Sequence, residues 1–516
     1  MAIVYPLANG NWSTVANWYS GGVAYGSLPL SGDDVYLDNK TLTLDQDVTI
    51  ANMYFTARSG GTAGGLINCS TTRTVTCTNI QPYGSGNGIN FTGTTGTLLT
   101  VNANILAGTF NDGGSGGVVK LTSSGNININ GNLVGGTSGN VAAAIITGTG
   151  LLTIVGNCSS GGNYGTVQIQ GTGRCVITGN VGGGAGAPSI LISSTSSTAL
   201  IVNGNCISGT TSGGVQNSSS GTVTINGTQT AVGTAGIYSI TNSSTGIITI
   251  NGDCLGALSG TPSSAYIVNN NSTGILNING SVTARSVSPT AGNTIGIVTN
   301  TSTGTINVSS NVTGGSVANT IAINNASTGI INVTGNVTGG SNATNTPALY
   351  TSTAGTFNIT GTTTSNSYPA IYSTVTTAKF NLLGNVVNTA GVVAYYGSLI
   401  VKCSPTVGQS ITYRSTSGSD RILATTNVSN GAPVIANVRY GIVYGSTNEL
   451  TGTLRMALPS DVRVSVPTDN TVGTATITAQ DFWNYAVSNL TAANSIGKRL
   501  KNCSTVQTTG DQIAAF

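Results

Sequence analysis

Residues 327–340 read Ser-Thr-Gly-Ile-Ile-Asn-Val-Thr-Gly-Asn-Val-Thr-Gly-Gly, and variants of this phrase recur along most of the chain. GNININGNLVGG stands at 125–136, STGIITINGDC at 244–254, STGTINVSSNVTGG at 302–315 and TAGTFNITGTT at 353–363. Self-similarity at this period means stacked copies of one supersecondary unit, each burying its apolar face on its neighbours. An ordinary globular domain does not read this way.

The apolar residue at the centre of each phrase marks a column: Val101, Ile129, Ile154, Ile177, Val202, Ile225, Ile250, Ile278, Val308, Val333, Ile359 and Leu382, at gaps of 23 to 30 residues. Two positions earlier stands a second apolar column, which includes Leu152, Cys175, Leu200, Val223, Ile248, Leu276, Ile306, Ile331, Phe357 and Phe380. The residues between are usually Asn or Thr. Alternation of this kind is a strand with one buried face, and the β-branched enrichment agrees. Gly-Asn or Gly-Asp then follows in most copies, as at Gly131-Asn132, Gly204-Asn205 and Gly252-Asp253. Both residue types tolerate the positive φ of a sharp corner, and stacked Asn side chains can bond from rung to rung. A further strand precedes the phrase, as in Gly236-Ile237-Tyr238, Ala348-Leu349-Tyr350 and Ala370-Ile371-Tyr372.

The expected fold is therefore all-β: a single-chain parallel β-helix of about a dozen rungs, with the length variation concentrated in the loop after Gly-Gly. Three segments are expected: an N-terminal cap over 1–50, the shaft over 51–400, and a small β-rich domain over 401–516 for oligomerisation or attachment. Only 6% of residues are charged, against roughly 25% in an ordinary domain. The regularly spaced Val, Ile and Leu separate the protein from disordered low-complexity sequence.

The net charge of +3 is too small for an electrostatic nucleic-acid footprint. The two ends differ in sign. Residues 1–50 carry five Asp (33, 34, 38, 45 and 47) against Lys40, while 401–516 carry nine Lys/Arg against six acids. The reading is ordinary solvation of two end segments. The opening MAIVYPLANGNWS has neither a basic start nor a long apolar run, and no stretch of 18 apolar residues occurs, so synthesis in a cytoplasm without membrane insertion is expected. Triplets such as those at Asn242 and Asn300 follow from composition, and no glycans are assigned.

Cys158, Cys206 and Cys254 fall in the apolar position after the corner, where other copies have Leu133, Val181, Val282, Val312 and Val337. Successive members lie two rungs apart, roughly 9–10 Å, beyond disulfide reach, so free buried thiols are expected. Without a CxxC or any His, no zinc site is expected. The N-terminal Asp residues lack a calcium-loop motif and read as turn caps, so no metal or cofactor is assigned.

Enzyme chemistry finds few residues to work with. Glycoside cleavage uses two carboxyl groups about 5–10 Å apart. Between residues 51 and 400 the acids are Asp112 and Asp253, about six rungs or roughly 25–30 Å apart. Glu449 is the one Glu, and the missing His excludes Ser-His-Asp and Cys-His arrangements. Arg58, Arg73, Lys120, Arg174, Arg285 and Lys379 are too dispersed to form a lyase site with a Tyr. The Gly-rich stretch 113–117 lacks the Lys-Ser/Thr of a phosphate loop. No catalytic residue is assigned. The candidate binding residues are Tyr238, Tyr350 and Tyr372, read as pointing outward next to inward Ile237, Leu349 and Ile371, with Tyr266, Tyr368, Tyr395 and Tyr396 nearby. Rings on one face suit a subunit interface or stacking on sugar, with isolated surface tyrosines as the plain alternative.

The ends carry a resemblance. Asn11-Trp12-Ser13, Asn17-Trp18, Pro29 and Gly32-Asp33-Asp34-Val35 resemble the N-terminal entry of β-helical surface and phage proteins, over about 50 residues. The C-terminal elements VRYGIVYG, LTGTL, VRVSVPTDNTVGTATIT, DFWNYAVSNLT and IGKRLKNCSTVQTTGDQIAAF, over about 80 residues, resemble phage tail-fibre and related virion proteins. Strands over 438–477 and one helix near 479–490, with Phe482, Trp483, Ala486, Val487 and Leu490 as its apolar stripe, are expected there. The resemblance implies an attachment or trimerisation module and no particular chemistry. Together with the scarcity of acids and the missing His, the expectation is a structural, non-enzymatic bacteriophage appendage: a homotrimer on the virion, bound to tail, baseplate or head proteins and in contact with host surface polysaccharide. The alternatives are a bacterial β-helical adhesin and, after it, a polysaccharide-depolymerising tailspike.

Overall fold

The computed structural model describes residues 2–56, 65–83, 88–107, 116–136, 141–193, 199–211, 213–232, 238–256, 266–284, 295–315, 320–340, 347–365, 370–375, 377–384, 386–388, 400–403, 410–414 and 420–425, and the short strands 443–444, 450–451, 467–468 and 471–472. Two compact units divide the protein, Met1–Gly431 and Ala432–Phe516.

The first unit is a stack of parallel strands, a β-solenoid of about 11 turns. One turn shows the plan. Thr320–Asn325 lies in a 15-stranded sheet, and Ile330–Val333 and Val337–Thr338 lie on either side of a corner in a 31-stranded sheet. The register follows the apolar columns from turn to turn: Val101 pairs with Ile129, Ile129 with Ile154, and so on through Ile359 and Leu382. The column also runs past both expected ends, to Val75 and Val48 on one side and Cys403 on the other. Its neighbour, from Leu152 through Phe380, is fully buried, and Phe357 and Phe380 stack with ring centroids 4.7 Å apart.

The corner glycines answer a demand for space more than for handedness. φ is positive at Gly131, Gly156 and Gly179 but not at Gly204, Gly227 or Gly252. What all share is an approach to the corner one turn earlier: a Cβ on Gly252 would stand 2.5 Å from the Gly227 carbonyl oxygen. Turns are about 4.8 Å apart, and at these glycines a Cβ would press on the backbone of the turn before. Ala103 and Ser310 hold the same place in two other turns, so the position favours a small residue.

The Asn that follows completes the corner. Its Oδ1 accepts the backbone N–H of the equivalent residue one turn later: Asn157 on Asn132 at 2.9 Å, Asn180 on Asn157 at 3.0 Å, Asn205 on Asn180 at 2.9 Å and Thr228 on Asn205 at 2.8 Å. Two more Asn columns run on the outer face. In one, Asn277, Asn307, Asn332, Asn358 and Asn381 are linked amide to amide at 2.6–2.8 Å. In the other, Asn203, Asn226, Asn251 and Asn279 are linked at 2.6–2.7 Å. Rung-to-rung bonding is thus present in three columns. A fourth set is fully buried in the turn before the phrase: Asn242, Asn270, Asn300 and Asn325 each donate to the Gly carbonyl four residues on, at 2.8–2.9 Å. That bond closes the Asn-x-Ser-x-Gly turn and satisfies a buried carbonyl.

The N-terminal 50 residues are more than a cap. Ile3–Pro6, Asp34–Tyr36, Thr41–Thr43 and Val48–Thr49 already form parallel rungs, with Val35 facing Met53 and Leu42 facing Ile67. The lid proper is the excursion between the first two of these strands. There Trp12 and Trp18 are buried with centroids 4.8 Å apart, and the Trp18 indole donates to the Trp12 carbonyl at 2.9 Å. Asp-rich spacing obscures the apolar alternation in this stretch.

At the other end, Ile400–Cys403 continues the solenoid and Ser410–Arg414 pairs antiparallel with Asp420–Thr425, so the first unit passes the expected boundary at 400. In the second unit, Val443–Tyr444 pairs antiparallel with Leu450–Thr451 and Pro467–Thr468 with Thr471–Val472. The helix expected near 479–490 lies outside the described residues. No described helix is long and apolar enough to cross a membrane.

Candidate functional site

Tyr350 and Tyr372 occupy one column of the 15-stranded sheet on successive turns, next to core residues Leu349 and Ile371. Both are half-buried, and their rings stack with centroids 5.4 Å apart at 25°. Each ring covers a face of the other. What the pair offers a partner is hydroxyl groups, ring edges and the outer ring faces, a set that suits a sugar or a subunit contact.

Tyr238 does not belong to this column. The register carries Ile240, through Val268, Val298 and Ile323, to Leu349, so the equivalent of Tyr350 is Thr241. Tyr238 lies three residues earlier and pairs with Tyr266. The expected alignment of Ile237 with Leu349 is therefore corrected: the register places Ile240 in that column, and Ile237 itself lies outside the described residues. Four turns, roughly 19 Å, separate Thr241 from Tyr350 along the stack. Tyr368, Tyr395 and Tyr396 lie outside the described residues.

A second tyrosine pair is one that the sequence reading misses. Tyr36 and Tyr54 face each other across adjacent turns with centroids 4.5 Å apart at 19°, both half-buried. Beside them, Asn52 donates to Asp34 at 2.9 Å and Asn79 donates to Asn52 at 3.3 Å. The signal is there: Asp-Val-Tyr at 34–36 and Asn-Met-Tyr at 52–54 share one polar–apolar–Tyr pattern. Burial and the neighbouring Asp34 raise the Tyr54 phenol above its usual range, which keeps it a hydrogen-bond donor and not a base.

The carboxylates are engaged in structure. Asp33 accepts from Ala2 N–H at 3.0 Å, Leu30 N–H at 2.9 Å and the Tyr25 hydroxyl at 2.6 Å. Asp45 accepts from the Ser13 N–H at 3.0 Å and from its hydroxyl. Asp47 accepts from Thr74 N–H at 2.8 Å. In the shaft, Asp253 takes the corner role of an Asn and accepts from Ser281 N–H at 2.8 Å. Asp112 lies outside the described residues. Among the described residues, no three His, Cys, Asp or Glu side chains gather as a metal site.

The thiols lie in the core. Cys69, Cys77, Cys158, Cys175, Cys206 and Cys254 are free and buried. Burial pushes Cys77 and Cys175 up to about 12 and raises Cys206 and Cys254 further, so none is a thiolate at neutral pH. The column of Cys158, Cys206 and Cys254 holds one surprise: Gln229, fully buried between Cys206 and Cys254. Gly214 makes room for its amide, since a Cβ there would overlap the Gln229 side chain.

Compared with protein-family models, curated proteins and solved structures, the protein finds no match.

Proposed function

We propose that the protein is a structural, non-enzymatic component of a bacteriophage particle: a stiff β-helical appendage of tail-fibre or tailspike type. It is made in the host cytoplasm, assembles as a homotrimer with other virion proteins, and contacts the host surface. The observation that carries this reading is how the described shaft uses its polar side chains. Asn and Thr groups are tied to the next turn, and Asp253 serves as a corner cap. The sequence resemblance at the two ends supplies the virion context. The Tyr350–Tyr372 pair is the assigned contact, to a neighbouring subunit or to host polysaccharide.

Particles released from lysed cells that carry the gene, decorated with an antibody against this protein, test the placement. Label on the virion supports it. Label on the bacterial surface instead identifies an adhesin and overturns it. Light scattering of the purified protein reads the trimer directly, and the Tyr350→Ser/Tyr372→Ser double variant is expected to weaken assembly or adsorption. Oligosaccharide released from capsule or O-polysaccharide would overturn the non-enzymatic reading.

A further inference from the structure

Five corners of the described shaft carry Asn-Gly, the dipeptide most prone to lose ammonia: Asn130-Gly131, Asn203-Gly204, Asn226-Gly227, Asn251-Gly252 and Asn279-Gly280. All five Asn are exposed. In the reaction the glycine backbone nitrogen attacks the carbonyl carbon of the Asn amide group. The new C–N bond closes a succinimide, the original C–N bond of that amide breaks, and its nitrogen leaves as ammonia with the glycine amide proton. Water then opens the ring to Asp or isoaspartate, so that Asn plus water becomes acid plus ammonia. The attack requires the Asn amide to turn out of its hydrogen bonds.

Those bonds are unequal among the five. Asn226 donates to Asn203 at 2.7 Å, Asn251 to Asn226 at 2.6 Å and Asn279 to Asn251 at 2.7 Å. Asn226 and Asn251 thus each hold two amide–amide bonds, one to either side. Asn203 and Asn279 are the ends of this ladder. Asn130 donates to Asn102 at 2.7 Å, and in the next turn the equivalent residue is Val155, which offers no amide. The Gly131 nitrogen, the nucleophile at that site, is itself bonded to the Val155 carbonyl at 3.0 Å.

We infer that the ladder governs the chemical ageing of the shaft: succinimide formation is suppressed at Asn226 and Asn251 and starts at the ladder ends, Asn203 and Asn279, while at Asn130 the bonded Gly131 nitrogen restrains it separately. Each additional amide–amide bond that must break slows the reaction roughly fivefold. The product would also be disruptive at an inner site. A carboxylate at 251 has no proton to donate to the Asn226 oxygen, and isoaspartate adds a backbone carbon next to Gly252, which packs on the Gly227 backbone. Protection at these sites is a property of the stacked fold and not of the exposed dipeptide.

The test is an ageing series on the full-length protein at mildly alkaline pH and 37 °C, read by mass-spectrometric peptide mapping. Each site's rate is divided by its own rate in guanidinium chloride. Because no Lys or Arg lies between Arg174 and Arg285, the digest uses a chymotryptic-type protease. The expected result is normalised rates at Asn226 and Asn251 about fivefold or more below those at Asn203 and Asn279. Equal normalised rates at the inner and end sites would overturn the inference. The Asn251→Thr variant gives a second reading, since Thr178, Thr334 and Thr360 hold the same place in other turns. It is expected to speed Asn226 and Asn279 severalfold and leave Asn130 unchanged. A folded variant with unmoved rates at 226 and 279 would also overturn it.

Discussion

The repeat assigns each residue one of a few jobs, and single substitutions should report which. Gly227 sits where a Cβ would overlap the Gly204 carbonyl oxygen. Gly227→Ala should cost about 1–3 kcal/mol, because the clash is with backbone and not with a side group that can turn away. Thermal melting of the shaft checks this, and an unchanged midpoint would show that the corner has room for a methyl group. Cys206 stands in a column shared with Val181, Val282 and Val312. Cys206→Val is expected to stay within about 1.5 kcal/mol of the parent, whereas Cys206→Ser buries a hydroxyl and should lose about 1–3 kcal/mol. The described thiols should be silent to a thiol reagent at pH 8 until denaturant is added.

At the scale of elements, the lid is, among the described residues, the part whose carboxyl groups tie its stability to pH. Burial alone would raise the Asp33 carboxyl, but the bonds from Tyr25, Leu30 and Ala2 together outweigh it and hold the group below its usual range. Asp45 behaves alike: burial raises it, and the two Ser13 bonds, a bond from its own backbone N–H and the Arg73 charge bring it below its usual range. A carboxyl lowered in the folded state contributes stability above its unfolded pKa, near 3.9, and loses it as pH falls through the folded value. Acidification below about pH 4 should therefore release the lid before the shaft. Tryptophan fluorescence in a Trp483→Phe background reads Trp12 and Trp18 alone, and Asp33→Asn should flatten the transition. A shaft that unfolds with or before the lid would contradict this assignment.

Elements also show why some of this is legible in the sequence and some is not. The strand columns can be read because Val, Ile and Leu return at fixed offsets from Gly-Asn, and no other register buries them all. The first rungs, over residues 3–50, are hidden because Asp and Trp interrupt the alternation that marks later turns. Tyr238 is easily misplaced because Ile237 and Ile240 both suit a core position, and only pairing with neighbouring turns chooses between them. The stacked pairs Tyr350–Tyr372 and Tyr36–Tyr54 depend on what lies one turn away, which a residue-by-residue reading sees only once the register is known.

For the molecule as a whole, the solenoid unit replaces surface charge with repetition. Asn side chains join turn to turn on the outer face, while a continuous apolar column from Val48 to Leu382 fills the inside. Each turn depends on its neighbours, so stability is the sum of turn and interface contributions along the stack. The claim on which the rest depends is that a single polypeptide coils in this register. A cryo-electron microscopy map of the purified full-length protein tests it most directly. About 11 parallel turns within each protomer are expected, layered at roughly 4.8 Å, with Val101, Ile129 and Ile154 stacked in one column. A map with antiparallel pairing in the shaft, or with successive layers contributed by different protomers, would contradict it.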